Sequence, residues 1–133
     1  MPRTEDSYSV LVVDDDPGIL IFIGRLLHLH GARALFARSA SQAIRIAARE
    51  YVPIDLILSN VTLPELSGPE AVNRVRGIRP GLQALYMSAQ TDDGVIRIDL
   101  MHRGDSCKTL FETIRQAVVR PPAVAERYQY SYQ

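Results

Sequence analysis

The chain has 133 residues, 47% of them hydrophobic and 23% charged, which suits one domain with its own core and excludes two. Acids and bases balance at 15 each, so no overall basic field invites nucleic acid and no direct DNA binding is expected. The polar first ten residues, and apolar runs far short of the ~18 residues of a membrane span, argue against a signal peptide or membrane contact. The expectation is a cytoplasmic protein, and a lone cysteine, Cys107, excludes an internal disulfide.

Residues 1–8 read as an N-terminal arm. Leu11-Val12-Val13 then forms a buried strand that stops in Asp14-Asp15-Asp16-Pro17. Three adjacent carboxylates repel one another, and packing them at a strand end is tolerable where water or a hard cation such as Mg²⁺ shares the site. Asp16 suits the N-cap of a helix and Pro17 its first turn, so Asp14 and Asp15 exceed what capping needs. Ile19, Leu20, Phe22, Ile23, Leu26 and Leu27 follow at helical spacing, and Gly31 is a stop signal. His28 and His30, two apart, point to different faces and make poor joint metal ligands.

Ala34-Leu35-Phe36 reads as a second strand, and Ser39 opens a helix with Ala43, Ile44, Ala47 and Ala48 as its apolar stripe. Ile54 to Ser59 is a third strand ending at Asn60. After a loop from Val61 to Gly68, Pro69-Glu70 begins a third helix that Gly77 and Pro80 end. Gln83 to Ser88 is a fourth strand, Thr91 to Gly104 a fourth helix and Thr109 to Val119 a last one. Pro121-Pro122 closes the domain, taken as residues 9–120, and a tyrosine-rich tail, 121–133, is expected to be mobile.

Alternating strands and helices with short connections require a parallel sheet with right-handed crossovers, hence a three-layer, doubly wound α/β sandwich. The ends of strands one, three and four then gather Asp14, Asp15, Asn60 and Ser88 in one crevice.

With those residues assembled, the chain resembles the receiver domain of two-component response regulators over about Val10 to Gly104. Three motifs carry the resemblance: Leu11-Val12-Val13-Asp14-Asp15, the run from Asp55 through Asn60 to Pro64 with Gly68, and Tyr86-Met87-Ser88-Ala89. It implies a flavodoxin-like fold of about five strands and five helices. It also implies Mg²⁺ held by Asp15, by Asp14 through water and by the backbone carbonyl of Thr62, with Ser88 sensing a phosphoryl group. The phosphoacceptor Asp of the family is replaced by Asn60, whose amide oxygen is too weak a nucleophile to form an acyl phosphate. Weak Mg²⁺ binding by Asp14, Asp15, Asn60 and Thr62 is therefore expected. Three accounts of Asn60 stand: a naturally degenerate receiver, an engineered change, or use of another acid, for which Asp55 lies at the wrong end of its strand.

The family also places a fifth strand, an aromatic switch residue and a lysine before the last helix. Here only Asp105-Ser106-Cys107-Lys108 follow Gly104, so the fifth strand is expected to be stunted and no aromatic precedes the lysine. Lys108, the only lysine, is either the family lysine or merely the opening of the helix. The shortened region would expose Ile98, Leu100, Met101, Leu110 and Phe111, a face for a homodimer or a constitutive partner. The functional expectation is a stand-alone receiver of a phosphorelay, not an enzyme, with a sensor histidine kinase or another signalling protein as partner. The alternative is a small-molecule or nucleotide-binding protein or enzyme on the same fold. Against that, the first loop lacks a Gly-rich phosphate cradle and no catalytic triad converges.

Overall fold

β1 (Ser9–Val13) is buried along its whole length as an interior strand of the sheet that everything else packs against. The computed structural model describes residues 8–88, 112, 114–118 and 129–131. In chain order they form β1, α1 (Pro17–Leu29), β2 (Arg33–Ala37), α2 (Ala40–Ala47), β3 (Leu56–Asn60), α3 (Gly68–Ile78), β4 (Gln83–Ser88), a C-terminal helix with helical residues at 112 and 114–118, and β5 (Gln129–Ser131). The strands are parallel in the order β2-β1-β3-β4-β5.

Successive strand residues point to opposite faces, and the two faces are filled differently. Val10 and Val12 of β1, Leu56 and Leu58 of β3, and Leu85 and Met87 of β4 pack with Ile19, Ile23 and Leu27 of α1 and with Ile114 and Ala117 of the C-terminal helix. Leu11, Val13, Ile57 and Ala84 face α2 and α3. Among the described residues, six of thirteen buried members of this second cluster are alanine, against two of fifteen in the first. The face under α2 and α3 is thus filled by small side chains and the face under α1 by bulky ones.

Local chemistry sets the element ends. Asp16 caps α1, its carboxylate accepting from Gly18 N–H at 2.8 Å, with Pro17 in the first turn. At the other end Gly31, with φ of 80°, donates to the carbonyl of His28 and Ala32 donates to that of Leu27, which is a Schellman closure. Ser39 caps α2. The Arg79 guanidinium donates to the carbonyls of Ala47 and Arg49, satisfying acceptors that the end of α2 leaves open. A reciprocal capping box starts α3: the Ser67 hydroxyl accepts from Glu70 N–H at 3.2 Å, and the Glu70 carboxylate accepts from Ser67 N–H at 3.0 Å. That box moves the helix start one residue ahead of the expected Pro69.

The edge beyond β4 needs a correction. Gln129–Ser131 of the expected mobile tail pairs with β4, Tyr86 opposite Gln129, Met87 opposite Tyr130 and Ser88 opposite Ser131. A strand edge offers unpaired N–H and C=O groups, and the alternating tyrosines of 128–132 suit an extended partner. The expected fifth strand at Asp105–Lys108 lies outside the described residues, as do the helix predicted over Thr91–Gly104 and the apolar face from Ile98 to Phe111. Among the described residues, no helix is long and apolar enough to cross a membrane.

Candidate functional site

The carboxyl end of the sheet brings the predicted residues together. In the register, Val13 lies opposite Ser59 and Asn60 opposite Met87, so Asp14, Asn60 and Ser88 end three adjoining strands. Asp14 is fully buried. Its N–H donates to the carbonyl of Ala37 at 3.0 Å, fixing it against β2, and its Oδ1 accepts from Asp16 N–H at 2.9 Å. Asp15 is exposed, while Asp16 is committed to its cap. The three acids thus separate into a buried carboxylate, a solvent-facing one and a structural one.

Asn60 is half-buried as the last residue of β3, not just beyond it as expected. Its Oδ1 accepts from Thr62 N–H at 3.2 Å, and its carbonyl accepts from the Ser59 hydroxyl at 2.9 Å. Val61 N–H donates to the Met87 carbonyl at 2.7 Å, which binds the loop to β4. The loop closes through a Thr62–Ser67 bridge and the buried Leu63, and Gly68 N–H donates to the Val61 carbonyl. Gly68 has to be glycine here: a Cβ would stand 2.2 Å from the Asn60 carbonyl oxygen. Sequence reading missed Ser59, a fully buried serine that anchors the Asn60 backbone; its signal was a lone hydroxyl in an otherwise apolar run.

Asp55 lies at the opposite end, where it exchanges two bonds with Ser9: its N–H donates to the Ser9 carbonyl and its Oδ2 accepts from Ser9 N–H, each at 2.8 Å. It is a clamp for the start of β1 and β3 and is out of reach of the crevice. His28 and His30 close α1, which runs back from the crevice, so they too lie at the far end. Lys108 lies outside the described residues.

The expected donors, the Asp14 and Asp15 carboxylates, the Asn60 amide oxygen and the Thr62 carbonyl, are all hard oxygens of the kind Mg²⁺ takes. Among the described residues, no cluster of three or more His, Cys, Asp or Glu side chains is placed to hold a metal.

A parallel sheet in this order, with carboxylates at its carboxyl end, defines a flavodoxin-like α/β domain whose site sits at the strand ends. The family profile of the response regulator receiver domain matches residues 10–105, and the chain belongs to that family: it is a receiver domain of two-component systems. It is 32% identical over 121 residues to the probable transcriptional regulatory protein TcrX of Mycobacterium tuberculosis, covering 90% of this chain and 50% of that protein. To the transcriptional regulatory protein GlrR of Escherichia coli K12 it is 31% identical over 80 residues, 60% of this chain and 18% of that protein. The chain thus spans half or less of the length of these relatives. Among solved structures, the chemotaxis response regulator CheY4 of Vibrio cholerae superposes with a TM-score of 0.66 at 19% identity, covering 81% of this chain and 98% of that one. The receiver domain from the hybrid histidine kinase CckA gives 0.66 at 23% identity, with 83% and 98% covered. These two likenesses concern the fold. Receiver domains interact with histidine kinases and other signalling proteins, and generally bind Mg²⁺ at the phosphorylation site.

Proposed function

We propose that this receiver does not form an acyl phosphate and acts through protein contact instead. The observation that carries the reading is Asn60 at the end of β3, beside the buried Asp14, where the nucleophile would stand. Phosphoryl transfer from a phosphohistidine needs a carboxylate oxygen to form the new P–O bond as the P–N bond breaks. An amide oxygen carries no full negative charge, and its attack would leave a cationic O-phosphoryl imidate in place of a neutral acyl phosphate ester bond. In this protein it also accepts a hydrogen bond from Thr62 N–H.

Asp14, Asp15, the Asn60 amide oxygen and the Thr62 carbonyl would hold Mg²⁺, with one negative charge fewer than an aspartate at position 60 provides. The ion, when bound, neutralises charge at the crevice. Asp14 is pre-set for this by the Asp16 N–H, which fixes one carboxylate oxygen. No acid or base in the set is arranged for turnover, so the reading is a binding module and not an enzyme.

Intact-mass measurement after incubation with acetyl phosphate and Mg²⁺ tests the proposal. The expected result is an unchanged mass for the native protein and a gain of one alkali-labile phosphoryl group in Asn60→Asp. A phosphoryl gain in the native protein overturns it.

A further inference from the structure

On the described structure, one apolar surface stands apart from the crevice. Ile21 and Leu29 of α1 are 56% and 79% exposed and Phe36 of β2 is 46% exposed. With Gly24, Arg25 and His28 they line an open groove of about 380 Å³ along the domain's β2 edge. Its floor is built: the Phe36 ring lies across α1 at Gly24, where a Cβ would stand 2.6 Å from the ring's Cζ. Arg33 and Arg38 are exposed at the two ends of β2. Arg25 and His28 line the groove and Arg33 and Arg38 flank Phe36 on β2, whereas Glu65, which accepts from the Ser41 hydroxyl, lies with α2 on the other face of the sheet.

We propose that this groove is the docking site for a helix of a partner protein, one that presents an apolar ridge flanked by carboxylates. Charge selects the occupant. A second copy seated two-fold on the same groove would set Arg25, Arg33 and Arg38 against their own counterparts, a like-charge juxtaposition that suppresses pairing. An acid-flanked helix satisfies both the apolar floor and the arginines around it, in the helix-in-groove mode. Arg25 is nine residues along α1 from Asp16, about 13 Å at 1.5 Å per residue. The groove's centre therefore lies to one side of the Asp14–Asn60 crevice. The groove is a second surface, distinct from the crevice. The inference rests on the chain acting by protein contact, and the two fail separately: phosphoryl uptake by the native protein removes that reading and leaves the groove titration unaffected.

The test is an NMR titration of the ¹⁵N-labelled chain with two synthetic amphipathic helices of the same leucine ridge, one flanked by glutamate and one by lysine. The expected result is that only the glutamate peptide shifts the amides of residues 21–29 and 33–38, with an affinity that falls as salt rises. Arg25→Glu should weaken it about tenfold. Leu29→Asp should abolish it while leaving the circular dichroism spectrum of the native protein, because Leu29 is exposed, and lower Tm by only a few degrees, because an acid in the last turn opposes the helix dipole. Equal binding of both peptides, binding of neither, or shifts mapping elsewhere overturns the proposal. So does a concentration-dependent dimer in sedimentation that Leu29→Asp dissolves, which makes a second copy the occupant.

Discussion

Replacing Gly68 by alanine confronts the hinge between β3 and α3 directly. The new Cβ would stand 2.2 Å from the Asn60 carbonyl oxygen and 3.0 Å from the Asn60 carbonyl carbon and the Val61 Cα. All three are backbone atoms and cannot rotate aside, so the cost belongs at the upper end of overpacking, about 3 kcal/mol. Alanine in a helix returns about 1 kcal/mol through propensity and a less disordered unfolded chain. The net loss is roughly 2 kcal/mol, which is about 8 °C in Tm for a domain of this size. Gly77 provides the control on the same helix: nothing lies within 4 Å of its hypothetical Cβ. Gly77→Ala should therefore raise stability by about 0.5–1 kcal/mol. Paired urea and thermal melts of the two variants decide the matter. A Gly68→Ala protein as stable as the native one would falsify the close approach of α3 to Asn60.

Other changes address the site and its caps. Mg²⁺ at ten times its Kd should stabilise the native protein by about 1.4 kcal/mol through mass action, and Asp15→Asn should lose that gain; a variant that keeps the full Mg²⁺ response in thermal melts refutes the donor assignment. Asp16→Ala should cost about 1 kcal/mol in a denaturant melt while the Mg²⁺ response persists, because Asp16 serves the cap; loss of the response contradicts that division of labour. The Ser67 N–H, and after it the Ser67 hydroxyl, hold the Glu70 carboxyl below its ordinary value. A depressed carboxylate stabilises the fold above its unfolded-state value and loses that contribution as pH falls through the folded one. The Tm gap between the native protein and Glu70→Gln should therefore be present at neutral pH and close in acid, and a gap that does not change with pH excludes the carboxylate as its source.

Much of the fold was legible because its signals are local. Apolar runs marked β1 and β4, and Asp16-Pro17 and Ser39 marked helix starts through chemistry confined to a few residues. β3 was misplaced at its start because Asp55 spends its carboxylate on Ser9 N–H, 46 residues away, and ladder pairing begins only at Leu56. The tyrosine alternation of 128–132 suits a strand, but nothing local names its partner: β5 depends on a pairing of Gln129 with Tyr86, far away in the chain. At the crevice, Asp14 and Asn60 were legible as residue types at strand ends. That Asp14 would be buried and Asp15 exposed was not, since the difference arises from the Ala37 and Asp16 bonds that turn the chain after β1.

The unequal filling of the two sheet faces has a consequence for how such a domain can drift over evolutionary time. Beneath α2 and α3, Ala40, Ala43, Ala47 and Ala71 are already near the smallest side chain available, so most accessible changes enlarge them and force the layers apart. Beneath α1, Leu27, Ile23 and Leu58 are already bulky, and most accessible changes shrink them and open cavities. Tolerated substitutions on the first side should therefore arrive as compensated pairs, an added methyl on a helix matched by a lost one on the sheet. On the second side they should arrive singly, as swaps among Leu, Ile and Met of nearly constant volume.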